Sequence, residues 1–251
     1  MNLNKLVEFF DNYLQISEIE DSCWNGLQFE GKKDVKKIVF AVDAGKETFN
    51  KAVSLKADMI VVHHGHFWTN LNPSVVSWSK ERLELLYKHN ISLYACHLPL
   101  DRHKEVGNNS QILQLLGATI TEEFLNYGGK NIGWIGELAN KTNLDEIILL
   151  LNNELKTNCK VLPFGKKKVQ KIAVCSGGGG YSGFNEAMDK KVDLYISGDA
   201  IEVFYTAKDA KLNVIFAGHH ATETLGLIAF LKVIEEKFSL ECFFLDLPTG
   251  L

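Results

Sequence analysis

Hydrophobic positions along this chain follow two rhythms that alternate. Leu3, Leu6, Val7, Phe10 and Leu14 recur at helical spacing, as do Leu144, Ile147, Ile148, Leu151 and Leu155. Each of these amphipathic stretches is followed by a short unbroken apolar run, over 38–42 or 172–175, of the kind a sheet buries on both faces. A loop and a helix come next, marked by Phe49, Ala52, Val53 and Leu55 in one case and by Phe184, Ala187 and Met188 in the other. Further apolar runs over 59–62 and 194–196 predict second strands, helices follow over 81–89 and 201–209, and third strands over 93–95 and 214–216. A helix over 225–237 and a strand over 241–245 close the chain.

The two halves of this pattern are copies. Gly31-Lys-Lys-Asp-Val-Lys-Lys-Ile38 matches Gly165-Lys-Lys-Lys-Val-Gln-Lys-Ile172 at six of eight positions. Phe49-Asn50-Lys51-Ala52 then matches Phe184-Asn185-Glu186-Ala187, and Asp58 with its apolar run matches Asp193 with its own. His97-x-x-x-Asp101 finally matches His219-x-x-x-Glu223. Matches in one order, with similar gaps, indicate a duplicated unit. The expected fold is therefore α/β: a duplicated unit forming two similar interlocked lobes, with mixed sheets covered by helices. The Gly- and polar-rich stretch 117–143 is read as the boundary, giving a first lobe over 1–125 and a second over 126–251.

Composition narrows the classes. The chain has 251 residues and a net charge of −4, without the basic stripe of a dedicated nucleic-acid binder. The start is not patterned as a signal peptide, and no stretch has the length of an apolar membrane span. Five widely spaced cysteines, with no CxxC pair, suggest reduced thiols rather than a thiolate zinc site, and a cytoplasmic location.

The histidines carry the chemistry. In open α/β sheets ligands gather at the carboxyl ends of strands. His63-His64-Gly65-His66 follows the run 59–62; His97-Leu-Pro-Leu-Asp101-Arg-His103 follows the run 93–95; His219-His220-Ala-Thr-Glu223 follows the run 214–216. A lone histidine at a strand end is ordinarily a hydrogen-bonded loop residue. Three clusters, two of them related by the repeat, point instead to a shared metal site, since imidazoles and carboxylates suit Zn, Fe, Mn, Ni or Co. His66 is the weakest candidate of its cluster, His89 reads as a helix C-terminal cation, and His103 and His220 stay open. The run Gly177-Gly178-Gly179-Gly180 follows a strand as well. It either offers backbone N–H groups of Gly177 and Gly178 to a substrate phosphate or makes a tight strand-to-helix turn.

Asn25-Gly26-Leu27-Gln28, His63-His64-Gly65-His66-Phe67-Trp68, His97-Leu-Pro-Leu-Asp101 and Gly218-His-His-Ala-Thr-Glu223 together resemble the Nif-three-like family, also known as type 2 GTP cyclohydrolase I, in its compact bacterial form. The resemblance implies a dinuclear centre of two divalent metal ions. His64 and Asp101 would hold one ion, His63 and His219 the other, with Glu223 bridging, and His97 would lie beside the ligands or transfer protons. It further implies a homo-hexamer with a small-molecule substrate, a nucleotide among the candidates, while the charge and hydropathy of the chain make neither a membrane nor a nucleic acid an expected partner. The activity implied is a metal-dependent hydrolase that opens the guanine ring of GTP with release of formate. Two other readings stand beside it: a non-catalytic metal-binding ring protein with a regulatory or interaction role, and a phosphoesterase or other nucleotide hydrolase.

Overall fold

The computed structural model describes residues 1–251 and divides the chain into two compact units, 1–100 with 227–247, and 101–226 with 248–251. The first unit opens with helix α1 (Leu3–Leu14), capped by Asn2, whose side chain accepts the Lys5 N–H. Its buried residues are Leu3, Leu6, Phe10 and Leu14, one stripe at helical spacing. There follow β1 (Gly26–Phe29), β2 (Lys37–Asp43), α2 (Lys46–Ser54), β3 (Met59–His64), α3 (Ser77–His89), β4 (Ser92–Ala95) and the short α4 (Leu98–Asp101). The second unit contains α5 (Asn108–Leu115), β5 (Ala118–Tyr127), β6 (Lys130–Asn143), α6 (Leu144–Glu154), β7 (Lys160–Pro163), β8 (Lys168–Cys175), α7 (Gly180–Asp189), β9 (Leu194–Ser197), α8 (Phe204–Ala210), β10 (Asn213–Phe216) and α9 (His219–Thr222). The last elements, α10 (Thr224–Phe238) and β11 (Glu241–Phe244), return to the first unit over 227–247.

The duplication is visible strand by strand. The first sheet has the order β1-β4-β3-β2-β11, with β2, β3 and β4 parallel and β1 antiparallel to β4. The second has the order β5-β6-β8-β9-β10-β7, with β8, β9 and β10 parallel and β7 antiparallel to β10. Three buried parallel strands with one antiparallel edge thus occur twice. In the first unit Val39, Ile60 and Val62 pack with Phe49 of α2 and Leu86 of α3. On Phe40 and Tyr94 lie Phe10 of α1 and Phe230 of α10, with the Phe10 ring 5.1 Å from Tyr94 and 5.0 Å from Phe230. In the second unit Ile172, Val174, Ile196 and Ile215 pack under Ile112 of α5 and Leu144, Ile147 and Leu151 of α6.

A polar clamp is duplicated with the fold. Asp58, just before β3, takes Lys32 Nζ at 2.7 Å on one oxygen and the backbone N–H groups of Lys36 and Lys37 on the other. Asp193, just before β9, does the same with Lys166 Nζ at 2.8 Å and the N–H groups of Gln170 and Lys171. Each carboxylate ties the entry of one central strand to the next. This explains why the Gly-Lys-Lys stretch and the aspartates recur together in the sequence.

The boundary differs from the expected 125/126. Residues 117–143 are not a connector but the hairpin β5–β6, which extends the second sheet through β6 against β8. The burial of 118–123 alternates strictly, so a period of two lies beneath a composition rich in polar residues and glycine. The C-terminal segment belongs with the first unit because β11 pairs in parallel with β2, Glu241 to Phe244 opposite Lys37 to Phe40. No helix is long and apolar enough to cross a membrane.

Burial works to raise the pKa of Asp58 and of Asp193, yet the facing lysine and backbone N–H groups outweigh it and hold each carboxyl below its ordinary 3.8. A carboxylate depressed in the folded state adds stability above its ordinary value and loses it as pH falls through the depressed one. Asp58→Asn or Asp193→Asn is expected to lower Tm by roughly 3–8 °C at pH 7, from about 1–3 kcal/mol of lost charged hydrogen bonding. In thermal melts the gap to wild type narrows as pH falls below 3.8 through the depressed value, where the wild-type carboxyl loses its charge as well.

Candidate metal centre

The first unit brings three histidines together where its parallel strands end. His63 and His64 are the last residues of β3, and His97 follows β4 after Cys96. The ring centroids of His63 lie 4.8 Å from His64 and 4.9 Å from His97, and His64 and His97 are 5.6 Å apart. Each ring offers one nitrogen to a group spanning no more than 4.8 Å.

The other nitrogen of each ring is held. His63 Nδ1 meets the Cys96 carbonyl at 2.9 Å, His64 Nδ1 meets Asp43 at 2.8 Å, and His97 Nδ1 meets Asp21 at 2.9 Å. Carbonyl and carboxylate oxygens only accept, so in the neutral ring Nδ1 carries the proton and Nε2 is the acceptor nitrogen. Of the two carboxylates, the Asp21 side chain is the more embedded. Burial pushes its pKa up, but the hydrogen bond and charge of His97, helped by Asn25 and the Cys23 N–H, bring it down to about 2. Asn25 completes the support by donating to Asp21 and accepting the His97 backbone N–H.

In the second unit the donors gather around the end of β8. Asp101 is buried, and its Oδ1 accepts from Asn108 Nδ2 at 2.8 Å and Ser176 Oγ at 2.9 Å. Asn109 accepts the Ser176 N–H and donates to the Asp101 carbonyl. His219 Nδ1 meets Asp199 at 3.0 Å, and His219 Nε2 faces Oε1 of the buried Glu223 at 3.2 Å. Burial and the charges of Asp101 and Glu223 together push the Cys175 thiol far above its ordinary pKa, so both carboxylates converge on this strand end.

Gly177 belongs to this packing rather than to a phosphate cradle. Its φ is +54°, a Cβ there would lie 2.2 Å from Glu223 Oε1, and its N–H is donated to Thr222 Oγ1. Gly179 is equally crowded, against the Tyr195 hydroxyl and Cys175, while Gly178 is exposed beside Asp199. Four glycines here satisfy one strained strand-to-helix turn, so the expected phosphate contact loses the Gly177 donor. His66 stays out of the donor group, bonding Ser79 through Nε2, and its pKa is lowered by burial and then by Arg82. His103 accepts the N–H groups of Glu105 and Val106 in a turn, and His220 is buried. Asp21, Asp43, Asp199, Ser176 and Asn108 are absent from the donors expected from the sequence. Asp43 and Asp199 stand at strand ends like the histidines they hold, so the same rule reaches them; Asp21 and Asn108 carry no such signal.

A duplicated α/β fold with histidine–carboxylate sets at its strand ends is the class these observations define. The chain belongs to the Duf34/NIF3 (NGG1p interacting factor 3) family, whose match runs over residues 1–249. It is 44% identical over its whole length to a protein of Archaeoglobus fulgidus, also covered entirely, and 37% identical to one of Pseudomonas aeruginosa over 98% of this chain and 97% of that one. Both carry the name GTP cyclohydrolase 1 type 2 homolog. Among solved structures it is similar to protein ybgI, of unknown function, with a TM-score of 0.93, 35% identity and full coverage of both chains. It is also similar to reduced HcgD from Methanocaldococcus jannaschii, with a TM-score of 0.84, 25% identity and 98% coverage of each chain.

Two outcomes follow. Gly177→Ala is expected to destabilise the protein by at least about 1–2 kcal/mol from the left-handed backbone alone, with displacement of Glu223 added, as read by a lower unfolding midpoint. The hydrogen bond to Glu223 is the main cause that lifts His219 to about 9, against burial and with Asp199 assisting. A pKa raised on folding adds stability that is complete below about 6.5 and is lost as pH rises toward 9. In chelator-treated protein the melting midpoint therefore falls between those values, and Glu223→Gln flattens that slope.

Proposed function

We propose that the protein is a metal-dependent hydrolase holding two divalent ions through His63, His64, Asp101, His219 and Glu223. The observation that carries this reading is the fixed orientation of four imidazoles. His63, His64 and His97 each give Nδ1 to an oxygen, which turns Nε2 toward the group they form, and His219 gives Nδ1 to Asp199 while its Nε2 faces Glu223. Carboxylate-oriented histidines of this kind are the usual arrangement around protein-bound metals. The mixed nitrogen and carboxylate donor set suits zinc, iron, manganese, nickel or cobalt.

Held by these residues, divalent ions would supply Lewis-acid chemistry and lower the pKa of water. The chain's own residues do the rest. Asp43 and Asp199 fix the direction of His64 and His219. Asp21, ionised at neutral pH, keeps the Nδ1 proton on His97, so His97 Nε2 accepts a proton from attacking water and returns it to the leaving group. The name of the relatives makes GTP the first substrate to test, with ring opening and formate release as the reaction.

Elemental analysis of protein purified without chelator is expected to find about two divalent ions per chain, and Asp101→Ala and His219→Ala to lose at least one. The metal-loaded protein is then assayed for formate from GTP and for phosphate from nucleotides. A chain that takes up no divalent metal, or variants that keep their full content, would overturn the proposal; metal binding without turnover on any of these substrates would overturn its catalytic half.

A further inference from the structure

Beside the histidine cluster, the first unit contains a cavity of about 380 Å³, a size that suits a small organic ligand. Trp24, Phe67, Trp68 and Trp78 line it, and its wall includes no Asp, Glu, Lys or Arg. Two of the indoles stand open to solvent, Trp24 at 60% and Trp78 at 55% exposure. Neither sits on loose chain. The Trp24 N–H donates to the Phe67 carbonyl, and the Trp24 carbonyl accepts from Gln28 Nε2. Trp78 is held by the Arg82 guanidinium, 4.8 Å from its ring, and by the His66 ring at 5.7 Å.

Gln28 sets this wall. Its Oε1 accepts the N–H groups of His66 and Phe67, while its Nε2 donates to the Trp24 and Phe67 carbonyls. Gly65 is required beside it, since a Cβ there would lie 2.3 Å from Gln28 Nε2. Trp68 joins the cavity to the histidines, its ring 5.0 Å from His97 and 6.1 Å from His64. The Trp68 indole N–H is donated to the Gly65 carbonyl, so this ring presents only its π surface and edge. Asn25 lines the same cavity and accepts the His97 backbone N–H.

We infer that this cavity receives the planar, uncharged heteroaromatic ring of the substrate, a ring of the nucleobase type, and that the charged part of the substrate lies outside it. The inference rests on the reading of the adjoining histidines as part of a reaction centre. Several aromatic walls without a charged group favour a flat π system, which stacks without demanding a counter-ion. A phosphate or carboxylate would find no lysine or arginine in the lining. An aliphatic chain would fill the space without using the ring faces.

The test uses full-length protein freed of metal with chelator, titrated calorimetrically with guanosine, uridine, ribose 5-phosphate and 1-hexanol. Guanosine is expected to bind saturably and ribose 5-phosphate not at all. Trp24→Leu and Trp78→Leu, both at exposed positions, should each weaken guanosine by about tenfold. Trp24→Phe and Trp78→Phe, which keep a ring, should retain most of the binding, and all four variants should match wild type in metal content. Absence of saturable nucleoside binding, equal binding by the leucine variants, or hexanol binding as tightly as guanosine would overturn the inference. Guanosine binding by a chain that takes up no metal would refute the hydrolase reading alone, and metal uptake without nucleoside binding would refute this inference alone.

Discussion

Three parallel strands buried on both faces impose the constraint on which each unit depends. Their interiors, Val39 to Val42 and Ile60 to Val62 in one and Ile172 to Val174 with Leu194 to Ile196 in the other, are sealed from solvent and, apart from the Tyr195 hydroxyl, apolar. A polar side chain inside such a strand would lack a partner, so chemistry can begin only where the strands stop. His63, His64, Asp43 and His97 mark the ends of β3, β2 and β4; Ser176, Asp199 and His219 mark those of β8, β9 and β10. The aspartate clamps at the opposite ends hold strand to strand, with Asp58 gripping the entry to β2 and Asp193 the entry to β8.

Within that frame the site is built from pairs in which one member orients the other. An imidazole at a strand end rotates unless something holds it. Asp43, Asp21 and Asp199, and the Cys96 carbonyl, each take one ring nitrogen and so decide which nitrogen faces outward. Asp101 is fixed in the same spirit by Ser176 and Asn108. The glycines serve this arrangement by being absent volume: Gly177 admits Glu223 and His219, and Gly65 admits Gln28. The two copies have kept the frame and diverged in its dressing. The first sheet is extended by β11, the second by the β5–β6 hairpin, and the aromatic cavity with its tryptophans is a feature of the first unit.

Much of this was legible in the sequence because its signals are local. Helical spacing from Leu3 to Leu14, the apolar runs and the recurrence of Gly-Lys-Lys with a later aspartate follow from side-chain period and burial, which a linear string records. The strand-end histidines were legible for the same reason. Tertiary structure alone decided what depends on residues distant in sequence. It assigned 117–143 to a sheet and returned 227–247 to the first unit, through pairings of β6 with β8 and of β11 with β2. It set Asp21 against His97 across 76 positions and Asp101 against Ser176 across 75. It also took Gly177 away from phosphate binding, because a backbone N–H looks available until the partner that consumes it, here Thr222, is folded beside it.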